Sequence, residues 1–102
     1  MQNINYILVN DTNSENAAHA IHNSRVSDIR YRSTVVNAPR KWQVAGSKER
    51  TDIIKQLVFL RSHHPEAKIL GLSEIDTSAG YLRIGVNSAM NQLRRELSDM
   101  VD

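Results

Sequence analysis

Four imidazoles invite a metal reading first: His19 and His22 stand three residues apart, and His63 and His64 are adjacent. Imidazoles at helical i,i+3 spacing can share an ion, and two such pairs would offer four nitrogens. The simpler reading is helix capping. Pro65 marks a helix end, where a histidine complements the macrodipole and bonds the last carbonyls. On that balance no metal site and no cofactor are expected. Glu74 and Asp76 would share one face of a continuing strand, but the spacing places no histidine and no second carboxylate pair beside them, and a hairpin turn accounts for both. Gly46-Ser47-Lys48 opens a helix, whose free amides attract anions, so Ser47 and Lys48 are weak candidates for a phosphate contact. The spacing of a P-loop is missing there.

The stronger signal is a charge asymmetry. From Arg25 to Arg50 seven cations stand against Asp28 and Glu49, which leaves that stretch at +5 and the remainder of a chain of net charge +2 at −3. If Ile29, Tyr31, Val35, Trp42 and Val44 turn inward along strands, alternation sends Arg30, Arg32, Lys41 and Gln43 to the open face, with Arg83 and Tyr81 joining from a later hairpin. Exposed cations beside an aromatic form a platform for single-stranded nucleic acid. Arg30, Arg32, Arg40, Lys41 and Arg83 are then the phosphate contacts and Tyr81 the stacking residue. Tyr31 and Trp42 alternate out of phase with the arginines, and "KWQVAG" lacks the aromatic signature of RRM domains.

The elements that must position these residues are read from periodicity. "INYILVND" is a buried strand, and Thr12 to Asn23 is a short helix with Ala17, Ala18 and Ile21 at helical spacing. "DIRYRSTVV" and "KWQVA" alternate around "NAPR" and make a first hairpin. Ser47 caps a helix with the stripe Ile53, Ile54, Leu57, Val58 and Leu60, limited by Pro65. "AKILGLSEI" and "YLRIGV" make a second hairpin around "DTSAG". A closing helix starts near Ser88, capped by Asn87 or Ser88, with Met90, Leu93, Leu97 and Met100 on one face.

The order βαββαββα implies an α+β two-layer sandwich over residues 1–102, a single domain with one mostly antiparallel sheet packed by helices. Its first six elements follow the ferredoxin-like order, extended by a strand and a helix. A Cys-free thioredoxin-like sheet is the alternative. With 102 residues, no cysteine and an apolar run at Tyr6–Val9 far too short to span a bilayer, the chain reads as a cytoplasmic protein without disulfides or membrane contact. The function expected is a small non-enzymatic binding protein for single-stranded nucleic acid or a phosphate-bearing partner. The alternative is a protein-interaction or inhibitor module, which a surplus apolar stripe would let pair as a two-fold homodimer and which masks an acidic surface of a larger macromolecule.

Overall fold

The computed structural model describes residues 3–12, 21–38, 40–76, 80, 81 and 83–101, with the side chains of residues 40 and 101 outside that description. A run that is apolar on both faces wants cover on both faces, and "YILVN" takes the central place. Strand β1 (Tyr6–Asn10) lies between β2 (Ser33–Asn37) and β3 (Lys68–Gly71), in the order β2-β1-β3. Both pairings are parallel, with Leu8 level with Val35 on one side and Leu70 on the other. Ile7, Leu8 and Val9 are completely buried. Continuous apolar strands of this kind are the mark of parallel sheets covered on two sides.

Helices α2 (Lys48–His63) and α3 (Ser88–Val101) cover one face, where Ile53, Leu57, Met90, Leu93 and Leu97 pack on Ile7, Val9, Val36 and Ile69. The short helix α1 (Ser27–Tyr31) covers the other, where Ile29 and Ile21 meet Leu8 and Leu70. Ser47 caps α2 by accepting the Arg50 N–H (3.1 Å), and Asn87 caps α3 by accepting the Met90 N–H (3.1 Å). The first turn of α2 is tied to the middle of α3 by Arg50 and Glu96 at 2.5 Å.

The expected mostly antiparallel two-layer sandwich is therefore overturned: the fold is α+β, and the described residues form a three-stranded, all-parallel sheet with the three helices α1, α2 and α3. Neither hairpin forms as expected. "SDIRY" is helical, because Ile29 alone needs the core while Arg30 and Tyr31 stay in solvent, and the Ser33 hydroxyl bonds the Ile29 carbonyl where α1 ends. "RKWQ" is a 3-10 turn (Arg40–Gln43) that drops Trp42 into the core and leaves Val44 exposed. Arg50 closes over that indole, its guanidinium 5.8 Å from the ring and bonded to the Trp42 carbonyl. The indole Nε1 is buried with no hydrogen-bond partner among the described residues, a cost of about 1–3 kcal/mol set against burial of the whole ring.

After β3 the chain makes a second 3-10 turn (Leu72–Glu74), and only a single antiparallel bridge, Ile75 to Ile84, stands where the second hairpin was expected. Val86 is 94% exposed. The expected helix over Thr12 to Asn23 and the turn "DTSAG" fall largely on residues outside those described; residues 21 and 22 are helical. No described helix is long and apolar enough to cross a membrane.

Gly71 ends β3 against two side chains. A Cβ there would stand 2.7 Å from Asp11 Oδ2 and 2.8 Å from Met90 Cγ. Because the Asp11 carboxylate is held by hydrogen bonds, it yields poorly, and Gly71→Ala is expected to destabilise the fold by about 1–3 kcal/mol. A lowered urea midpoint with an unchanged slope would register that loss; an unchanged midpoint would count against the close approach.

Candidate functional site

At the carboxyl ends of the strands a polar cluster gathers around Asp11. Its Oδ1 accepts the Ser73 N–H (2.9 Å), and its Oδ2 accepts the Ser73 hydroxyl (2.6 Å) and the Asn87 amide (3.5 Å). The Asn87 amide also donates to Ser73 Oγ at 2.8 Å. This end of a parallel sheet is where ligands commonly bind. Here, however, the carboxylate and hydroxyl are spent on one another, and what they accomplish is a clasp between β1, the second 3-10 turn and the cap of α3.

Beside the clasp lies a second, more buried device. The Glu74 side chain is 1% exposed and pairs bidentately with Arg94, with both N–O distances 2.8 Å. Glu74 Oε1 also accepts the Gly71 N–H (2.8 Å), and Arg94 donates to the Ile69 carbonyl (3.1 Å). These are the outward-facing groups of β3. Lys68 N–H bonds Asn5 on the β1 side, and backbone direction alternates along a strand, so Ile69 and Gly71 face away from β1. The ion pair thus occupies the edge where a further strand would bond.

The opposite edge has no such plug among the described residues. Tyr6 N–H donates to Arg32 O and Ala38 N–H donates to Asn10 O, so the even-numbered residues of β2 face β1. Ser33, Val35 and Asn37 consequently direct their N–H and C=O groups outward. Along that edge runs a groove of about 450 Å³ between Thr34, Val35 and Val36 and the α2 residues Lys55, Gln56 and Phe59. Val35 is 37% and Phe59 61% exposed. An unpaired strand edge is a template for pairing with another chain unless something blunts it.

The residues selected from sequence are not brought together. Arg30 and Arg32 lie at the amino end of β2. Lys41, Ser47, Lys48, Tyr81 and Arg83 belong to segments at the carboxyl ends, with the length of the sheet between the two groups. Arg40 is in the same 3-10 turn as Lys41, and its side chain lies outside the described residues. Both faces of the sheet are covered, so the basic sheet face expected for polyanion binding does not form. Arg83 is engaged with its neighbours, 4.0 Å from Asp76 and bonded to the Tyr81 hydroxyl at 3.0 Å. Ser47 Oγ serves the α2 cap. Tyr31, expected inside, is 65% exposed with the Arg30 guanidinium stacked 4.5 Å from its ring.

His63 Nδ1 lies 3.0 Å from the Phe59 carbonyl near the end of α2. Among the described residues no group of three His, Cys, Asp or Glu side chains could hold a metal ion; His19 lies outside them. A second cavity of about 450 Å³ at the amino end is bordered by Tyr6, His63, His64, Glu66 and Lys68, whose charges are mixed. The chain matches no protein-family model, no curated protein and no solved structure.

Sequence reasoning missed the Glu74–Arg94 pair and the β2 edge. A signal for the pair did exist: Arg94 sits one residue after the buried Leu93 of an amphipathic helix, close enough to the apolar stripe to be drawn over a sheet edge. Burial raises the Glu74 pKa, but the hydrogen bonds from Arg94 and the Gly71 amide and the charge of Arg94 outweigh it and hold the carboxyl below its usual value of 4.5. A depressed folded-state pKa gives stability that is complete above the unfolded value and disappears as pH falls through the folded one. Acid should therefore weaken the fold below about pH 4.5 through this group. Glu74→Gln should cost somewhat less than the about 3–5 kcal/mol of fully buried pairs, because Arg94 is partly exposed. It should also flatten the loss of stability between neutral pH and pH 3, as chemical denaturation across that range would reveal. An equally steep acid loss in the variant would assign the dependence to other carboxylates.

Proposed function

We propose that this chain is a non-enzymatic protein-interaction module whose working surface is the outer edge of β2 with the groove beside it. The observation that carries the reading is the contrast between the two sheet edges. Glu74 and Arg94 close the β3 edge, while β2 presents the backbone groups of Ser33, Val35 and Asn37 next to exposed Val35 and Phe59. Strand addition uses such an edge: main-chain hydrogen bonds supply affinity, and flanking side chains supply selectivity. This is the interaction alternative of the sequence reading, moved from its charges to its apolar edge.

The test is capture with the full chain as bait after nuclease treatment. Wild type should retain a polypeptide partner that Phe59→Lys loses, and identical recovery by the two baits would count against the edge.

A second reading is supported by one further observation. Arg30, Tyr31 and Arg32 expose two guanidinium groups and a tyrosine ring on consecutive residues, a small surface on which a single strand could pair phosphate and stack a base. Binding of this kind weakens steeply as salt rises. Charge reversal at both arginines should abolish it in a mobility-shift assay, while reversal at Lys41 and Arg83, which lie at the other end of the sheet, should leave it unchanged. Equal loss from both pairs, or no shift at all, would remove this reading.

A further inference from the structure

We propose that the partner seated on the β2 edge is a second copy of this chain, joined by a two-fold axis at Val35 so that the two sheets become one. The proposal rests on the interaction reading above and names its occupant. A two-fold axis perpendicular to the sheet makes neighbouring edge strands antiparallel, and it is self-complementary by construction. Val35 is the middle residue of β2, and its N–H and C=O both point outward. Each Val35 would therefore exchange two hydrogen bonds with its twin, and Ser33 of one copy would lie opposite the partner's Asn37.

The charge on α2 argues for the same occupant. Asp52, Lys55, Gln56, Phe59 and His63 are all exposed, and their spacing puts them on one stripe of the helix. That stripe carries a carboxylate toward its start, Lys55, Gln56 and Phe59 in its middle and an imidazole at its end. The same axis lays two α2 helices antiparallel on one face of the joined sheet. Gln56 and Phe59 both border the groove beside Thr34 and Val36, so the level of the axis falls between them. Asp52, one turn before Gln56, then faces the partner's His63, one turn beyond Phe59. The two Phe59 rings close over the centre, and Val35 meets its twin on the α1 face. An acidic peptide would find only Lys55 in this groove, whereas a second copy satisfies both ends of the stripe.

Sedimentation velocity over a range of concentrations tests the assignment. Wild type should reach twice the chain mass of 11.6 kDa. Val35→Pro removes the outward N–H at a position where an edge strand tolerates proline, and Phe59→Lys changes only an exposed side chain; each should sediment as a single chain. Asp52→Lys should weaken association by about tenfold, and adding His63→Glu should recover it. A dimer that Val35→Pro and Phe59→Lys leave intact would overturn the geometry, as would a double charge swap that fails to recover. A wild type that sediments as a single chain throughout would overturn the dimer. If Phe59-dependent capture of a different polypeptide persisted in that case, the interaction reading would stand without this occupant; if capture were also independent of Phe59, both would fall.

Discussion

A carboxylate and a guanidinium stand where a fourth strand would bond, and much of the architecture follows from that substitution. Glu74 accepts from the outward N–H of Gly71, and Arg94 donates to the outward carbonyl of Ile69, so the two side chains reproduce both halves of a strand ladder. An unpaired acid at the Glu74 position would be costly, because the side chain is almost wholly withdrawn from water. Pairing with Arg94 removes that penalty and fixes α3 against the edge of the sheet. It also requires β3 to stop at Gly71 and turn at once through Leu72–Glu74, so that Glu74 can fold back on its own strand.

The neighbouring clasp extends this one device across half the molecule. Asp11 follows β1 directly, Ser73 lies in the 3-10 turn beside Glu74, and Asn87 both caps α3 and donates to Ser73. The end of β1, the turn after β3 and the first turn of α3 are therefore one hydrogen-bonded unit. Gly71 stands between the clasp and the ion pair, its Cα so close to Asp11 and Met90 that no larger residue fits without displacement. Nothing comparable binds the outer side of β2 among the described residues, where α2 presents exposed Lys55, Gln56 and Phe59 instead of a plug.

The apolar runs were legible, and the order of the strands in the sheet was not. "YILVN", the Ser47-capped helix and the Met90, Leu93, Leu97 stripe announce themselves through period and caps, because those signals are local. The alternation in "DIRYRSTVV" misled because a short amphipathic helix needs only one buried residue. Ile29 satisfies that need, and the pattern around it then carries no strand information. "KWQVA" misled in a similar way, since Trp42 reaches the core from a 3-10 turn as well as from a strand. Parallel pairing was signalled by β1 itself, whose consecutive Ile7, Leu8 and Val9 leave no wet face, whereas a hairpin meander would have left one. The charged platform failed for the same reason: once helices cover both faces, strand phase no longer sends arginines to a common surface. The Glu74–Arg94 pair depends on a contact between the turn after β3 and α3: the place of Arg94 beside the apolar stripe was a local signal, but no local pattern names Glu74 as its partner.

Edge asymmetry also limits what the sheet can become. A parallel sheet with two open edges could add copies head to tail without end, since each new copy would carry an open edge of its own. With the β3 edge filled by side chains, a copy joined through β2 offers only its own filled edge to the next. The two-fold pairing proposed at Val35 would use both open edges at once and leave none, so association along the sheet would stop at two chains. In the proposed dimer the ion pair that holds α3 to β3 would thus also make an open β2 edge tolerable: a single partner would satisfy the edge, and satisfying it would end growth.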